Sequence, residues 1–151
     1  MDHAEKAREL FLEGYNCSQA VVCAYGDLTG LSIPEAARLS SSFGGGMGRL
    51  REVCGVVSGA FIVLGIVLGY DDPKDYEAKA AHYRLVQEFA RRFREKNGTI
   101  ICRELLEGFD VTPGDMPQPR TPEFYATRPC PRFAEEAARI LDEMLEITEG
   151  Y

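Results

Sequence analysis

An uncharged run of 18 residues, 53–70, lies near the middle of this chain. Such a stretch must leave water, either by crossing a bilayer or by forming the centre of a protein core. Its length is the minimum for a membrane span, and it carries four glycines, each costing about 1 kcal/mol in a helix relative to alanine. The other segments read as charged amphipathic helices, which need an apolar surface to pack against. The run is therefore expected to be a central helix buried on all sides by about five others, with no membrane insertion. Gly55 and Gly59, one turn apart, would let neighbouring backbones approach closely.

The rest of the chain carries the punctuation of helices. Residues 4–13 place Ala7, Leu10 and Phe11 among charges and stop at Gly14. Asn16 is a good N-cap for a helix over 17–27, and Ser32 caps a third that runs to about 43, with Pro34 and Glu35 in its first turn. Four glycines in the five residues 44–48 break the pattern. Helical character resumes at Arg51. Asp72 and Pro73 open a long helix, 74–96, with Tyr76, Ala80, Tyr83, Val86, Phe89, Ala90 and Phe93 as core candidates. A short helix, 100–107, follows Thr99. Residues 108–131 hold six prolines, so no regular element is expected there; the segment should lie over the helices and deliver Cys130. An amphipathic helix over 132–148 closes the chain. The expected fold class is all-α: one domain, 1–151, a bundle of about six helices with a Gly-rich loop and a long Pro-rich loop.

Charge narrows the function. With 17 basic and 24 acidic side chains the net charge is -7. That argues against nucleic acid and against an anionic membrane surface as partners. The beginning of the chain lacks the basic start and apolar stretch of a signal peptide. A cytoplasmic, reducing location is the expectation, and there five cysteines are more readily ligands or redox groups than structural disulfides. Histidine is scarce: His82 reads as an ordinary helical residue, and with His3 it cannot make a His-rich metal centre.

Position makes the cysteines informative. Cys17 follows the Asn16 cap, Cys54 opens the apolar helix, Cys102 comes three residues after Thr99, and Cys130 precedes Pro131. Four thiols thus fall at the expected starts of four helices. Unpaired N–H groups and the helix dipole there favour thiolate over thiol, and thiolates bind metal and attack disulfides. Cys23, six residues beyond Cys17 among Val21, Val22 and Ala24, reads as an inert core residue.

The segments 16–21 (Asn-Cys-Ser-Gln-Ala-Val), 43–47 (Phe-Gly-Gly-Gly-Met), 54–60 (Cys-Gly-Val-Val-Ser-Gly-Ala) and 102–106 (Cys-Arg-Glu-Leu-Leu), with the isolated Cys130, resemble the redox-active C_GCAxxG_C_C family. The resemblance spans 16–130. It departs from the family pattern at Val56, where alanine is usual. The family is also similar to part of split-Soret cytochrome c, an electron-transfer protein with an iron–sulfur cluster besides its haems. The resemblance implies redox chemistry at Cys17, Cys54, Cys102 and Cys130. No Cys-x-x-Cys-His is present, so covalent haem is not implied.

Three chemistries fit such a set. The first is a metal site with ligands Cys17, Cys54, Cys102 and Cys130, most simply a [2Fe–2S] cluster for electron transfer to a redox partner protein. Backbone N–H groups at Gly44, Gly45 and Gly46, together with Arg51, would then contact the cofactor and tune it. The second is metal-free thiol–disulfide exchange, with Cys17 as the catalytic nucleophile and Cys54 resolving. The third is structural zinc, although the usual paired Cys-x-x-Cys knuckles are absent. Arg49 and Arg51 would stabilise a thiolate at Cys54, and the glycine-faced apolar helix allows a homodimer.

Overall fold

The computed structural model describes residues 1–146 and is all-α. Six helices of eight or more residues form it: α1 (His3–Leu12), α2 (Cys17–Ala24), α3 (Ile33–Ser40), α4 (Gly55–Leu68), α5 (Tyr76–Asn97) and α6 (Cys130–Met144). Their starts follow the local chemistry of the sequence. Asp2, Asn16, Ser32 and Asp75 each accept a hydrogen bond from a backbone N–H three residues on. Asn16 with Gln19 and Ser32 with Glu35 complete reciprocal capping boxes. Gly98, at φ 85°, ends α5 in the left-handed conformation that favours glycine.

Helix α1 packs most extensively on α6, and α2 on α4, with α1 against α2 joining the two pairs. The core is built from Ala20, Val21, Val22 and Ala24 of α2, Val56, Val57, Ala60, Val63 and Leu64 of α4, and the inner faces of α1 and α6. Gly55 and Gly59 make the α2–α4 approach possible. A Cβ on Gly59 would sit 3.0 Å from the Ser18 carbonyl oxygen, and one on Gly55 would overlap the Cys17 sulfur.

Several expectations change. The apolar helix is not buried on all sides: Ile66 and Leu68 are 42% and 45% exposed. Helix length explains this. Eight residues of α2 cover about 12 Å of the roughly 21 Å that α4 spans. The first half of α5 projects beside that open end, so Tyr76, Ala80 and Tyr83 are exposed and only Phe89, Ala90 and Phe93 are buried. Among the described residues no helix is long and apolar enough to cross a membrane. The segment expected as helix 17–27 bends at Tyr25 into a separate turn, Gly26–Thr29, and helix 100–107 shrinks to Cys102–Leu105. The Pro-rich stretch does hold a helix, Pro122–Thr127, because Thr121 caps it and Pro122 occupies the first turn, where its missing N–H costs nothing. The last helix begins at Cys130, and 147–148 of the expected span lie outside the described residues.

Tyr25 ties this core together. It is fully buried, its hydroxyl donates to the Ala138 carbonyl oxygen at 2.8 Å and lies 2.7 Å from Asp142 Oδ1, and His3 stacks on its ring at 4.1 Å. Tyr25→Phe leaves those acceptors short of a donor. It is expected to cost about 1–3 kcal/mol, read as a lower urea midpoint with an unchanged m-value.

Candidate functional site

Each cysteine at a helix start is held by a specific local device. Cys17 is the first residue of α2, set by the Asn16 box. The same Asn16 reaches back to donate its Nδ2 to the Ser41 carbonyl at 3.3 Å, while Gln19 donates to Ala37 at 3.0 Å. A Cβ on Gly44 would overlap the Asn16 side chain, so glycine is required beside the cap. Cys54 is the N-cap of α4, and Cys102 opens the short helix. An isolated antiparallel bridge, Val53 to Ile101, clamps these two segments together. The Cys54 N–H donates to Ile100 at 2.8 Å and the Cys102 N–H to Glu52 at 2.6 Å.

The glycine loop is a turn of the opposite hand. Gly45, Gly46, Met47, Gly48 and Arg49 are consecutive at φ 66°, 73°, 70°, 58° and 65°, and Arg51 follows at 63°. Hydrogen bonds from Arg49 N to Gly44 O, Arg51 N to Gly45 O and Glu52 N to Gly46 O close it. The glycines thus do more than interrupt a helix. They build a left-handed turn in which three non-glycine residues accept about 1–2 kcal/mol of strain each, a pattern that concentrates at functional sites.

Arginines fasten the Pro-rich segment that leads to Cys130. Arg120 donates to the Phe11 and Tyr15 carbonyls at 2.9 and 3.0 Å with its guanidinium 4.1 Å over the Phe11 ring. Arg49 holds Thr112 and Gly114, and Arg128 holds Asp110 at 2.7 Å.

These devices converge on one cavity of about 450 Å³, lined by Cys17, Cys54, Cys102 and Cys130 together with Gly44, Gly45, Arg49, Arg51, Arg120 and Arg128. That volume is typical of small-molecule sites. All five cysteines are free thiols. Cys23 lies elsewhere, 2% exposed with its sulfur 3.6 Å from the Ile33 carbonyl oxygen. Neither histidine lines the cavity. Gly46 stands just behind it, where a Cβ would lie 2.7 Å from Cys102 Cβ.

The protonation state differs from the expectation. Burial pushes the Cys17 thiol up, against the lowering effect of the Gly45, Ser18 and Cys17 backbone N–H groups. It raises Cys54 well above its usual value and Cys130 to about 12, helped in both by the other sulfurs nearby. Helix-start N–H groups do act on Cys17, but desolvation is the larger effect. The arginine contact also differs: Arg51 Nη1 lies 3.6 Å from the Cys102 sulfur rather than serving Cys54. Arg128 lies close enough to Cys130 for its charge to oppose the rise in that thiol's pKa. It was legible only as an Arg-x-Cys spacing, which sequence reasoning passed over.

The raised thiols predict a pH effect. A group whose folded pKa exceeds its unfolded one contributes stability that is complete below the unfolded value, near 9. That stability disappears as pH rises toward the folded value, about 12 for Cys130. The melting temperature of reduced, metal-free protein should hold up to about pH 8 and fall between pH 9 and 12. Replacing Cys130 with alanine should flatten that fall.

Fold and cavity together define an all-α protein with four separately delivered cysteines facing one space. The family described as "Putative redox-active protein (C_GCAxxG_C_C)" has a model that matches residues 15–144, and the chain belongs to that family. No curated protein and no solved structure matches the chain significantly.

Proposed function

We propose that the cavity is a redox centre in which Cys17, Cys54, Cys102 and Cys130 hold an iron–sulfur cluster, [2Fe–2S], for single-electron exchange with partner proteins. The observation that carries this reading is the convergence of four thiols, from segments up to 113 residues apart in sequence, on one cavity. Soft thiolate donors in a set of four suit such a group, which would supply one-electron chemistry. The chain's part is to bring the sulfurs together, exclude water and aim backbone N–H groups at them. Neutral buried thiols fit this role, since metal binding displaces their protons.

The same burial weighs against metal-free exchange, which needs Cys17 as a thiolate nucleophile. Among the described residues no three His, Cys, Asp or Glu side chains are gathered tightly enough for one metal ion. The cluster reading therefore rests on the shared cavity and the soft donor set, not on a preformed ligand cage.

Protein isolated without oxygen should show visible absorbance and contain about two iron and two acid-labile sulfide per chain. Zinc alone, or colourless protein that gains disulfides on oxidation, would overturn the reading in favour of a structural metal or of dithiol chemistry.

A further inference from the structure

The lining of the thiol cavity is electrically one-sided. Among the described residues it contains four arginines, Arg49, Arg51, Arg120 and Arg128, against one carboxylate, Asp115. Acids outnumber bases 24 to 17 in the whole chain, so the enrichment runs against composition. Arg120 and Arg49 spend their donors on backbone carbonyls, and Asp115 lies near Arg49. Arg51 and Arg128 stand differently. Arg128 is only 9% exposed, is bonded to the Asp110 carbonyl and Gln118, and faces Cys130. Arg51 touches the Cys102 sulfur through Nη1, and its Nη2 is buried with no partner among the described residues.

A guanidinium taken out of water without a counter-charge is costly. Arg128 is almost wholly removed from water and half-buried Arg51 has its Nη2 buried, so the pair, held against two of the four thiols, leaves a positive charge that a negative occupant would offset. We propose that this cavity selects anions, with Arg51 and Arg128 as its two counter-charges. The inference deepens the cluster reading without depending on it. A [2Fe–2S] core held by four thiolates is a dianion when oxidised, and a small anionic substrate approaching the thiols would be selected by the same charges.

Two alkylating reagents of nearly equal size test this on reduced, metal-free full-length protein. Neutral iodoacetamide and anionic iodoacetate react alike: a thiolate sulfur forms a bond to the CH₂ carbon and iodide leaves. Both need the same thiolate, so the ratio of their rates cancels its abundance and reports the local potential. Peptide mapping assigns the rates to each cavity cysteine, with the same chain in denaturant as reference.

The iodoacetate-to-iodoacetamide ratio should exceed the unfolded reference by about three- to tenfold at low salt and fall as salt is added. Arg51→Gln and Arg128→Gln should bring it toward the reference, while Arg51→Lys should largely keep it. A wild-type ratio no higher than in the unfolded chain would overturn the proposal without any variant. So would equal ratios in wild type and both Gln variants. Iron and sulfide content separates the two readings: a chain that loads iron but shows no anion preference refutes only this inference. In loaded protein, Arg51→Gln should shift the midpoint potential negative, because less positive charge then offsets the added electron; an unchanged potential would remove the cluster as the anion in question.

Discussion

Cys54→Ser should yield a folded protein that no longer holds iron or labile sulfide. Cys54 is the N-cap of α4 and makes no side-chain capping bond there. Serine is nearly the same size and is among the best N-cap residues, worth about 1 kcal/mol over residues that cannot cap. Helix α4 should therefore form as before, and far-UV circular dichroism should be unchanged. The site loses more. Cys54 is 6% exposed, burial and then the other cavity sulfurs raise its pKa, and its N–H is fixed to Ile100. A hydroxyl is a poor substitute for a soft thiolate donor. The expected loss of visible absorbance and iron is at least tenfold, and full retention of both would remove Cys54 from the ligand set. Cys23→Ser provides the contrast: a small loss of stability in the core and unaltered iron.

The second large effect is structural. Gly46→Ala should lower stability by about 2–5 kcal/mol. Gly46 sits at φ 73°, where an L side chain costs about 1–2 kcal/mol. Its added methyl would lie 2.7 Å from Arg51 Cα and Cys102 Cβ and 2.8 Å from the Glu52 backbone nitrogen. Two of those contacts are backbone, so the overlap cannot be relieved by a rotamer change and adds about 1–3 kcal/mol. For a chain of 151 residues this corresponds to a fall in melting temperature of about 10 °C. Gly65→Ala is the control. Nothing stands within 4 Å of its Cβ position and it lies inside α4, so alanine should stabilise by about 0.5–1 kcal/mol through helix propensity. Equal melting temperatures for the two variants would show that the left-handed turn is not a required feature.

Reading from sequence reached furthest where the signal is local. Asn16, Ser32 and Thr121 all cap helices, but Thr121 lies in a stretch whose prolines argue against any helix, and the proline composition masked it. The half-exposed end of α4 was not legible, since an apolar run looks the same whether its neighbours are long enough to cover it or not. Burial outweighing the helix-start effect at Cys17 was hidden for a related reason: only the Cys17 and Ser18 N–H groups are local, whereas the Gly45 N–H and the desolvating atoms are brought in by the fold.

By itself the sequence determined that the chain is helical, where its main helices begin, which face of each is apolar, and that four cysteines stand at helix starts. Those properties depend on residues within one or two turns of each other. Tertiary structure alone decided that the four sulfurs share a cavity, that desolvation raises the pKa of the Cys17, Cys54 and Cys130 thiols, and that Arg51 serves Cys102 while Arg128 serves Cys130. Each depends on how densely remote atoms pack around a group. Close approach at Gly44, Gly46 and Gly55 sets that density, and no local pattern encodes it.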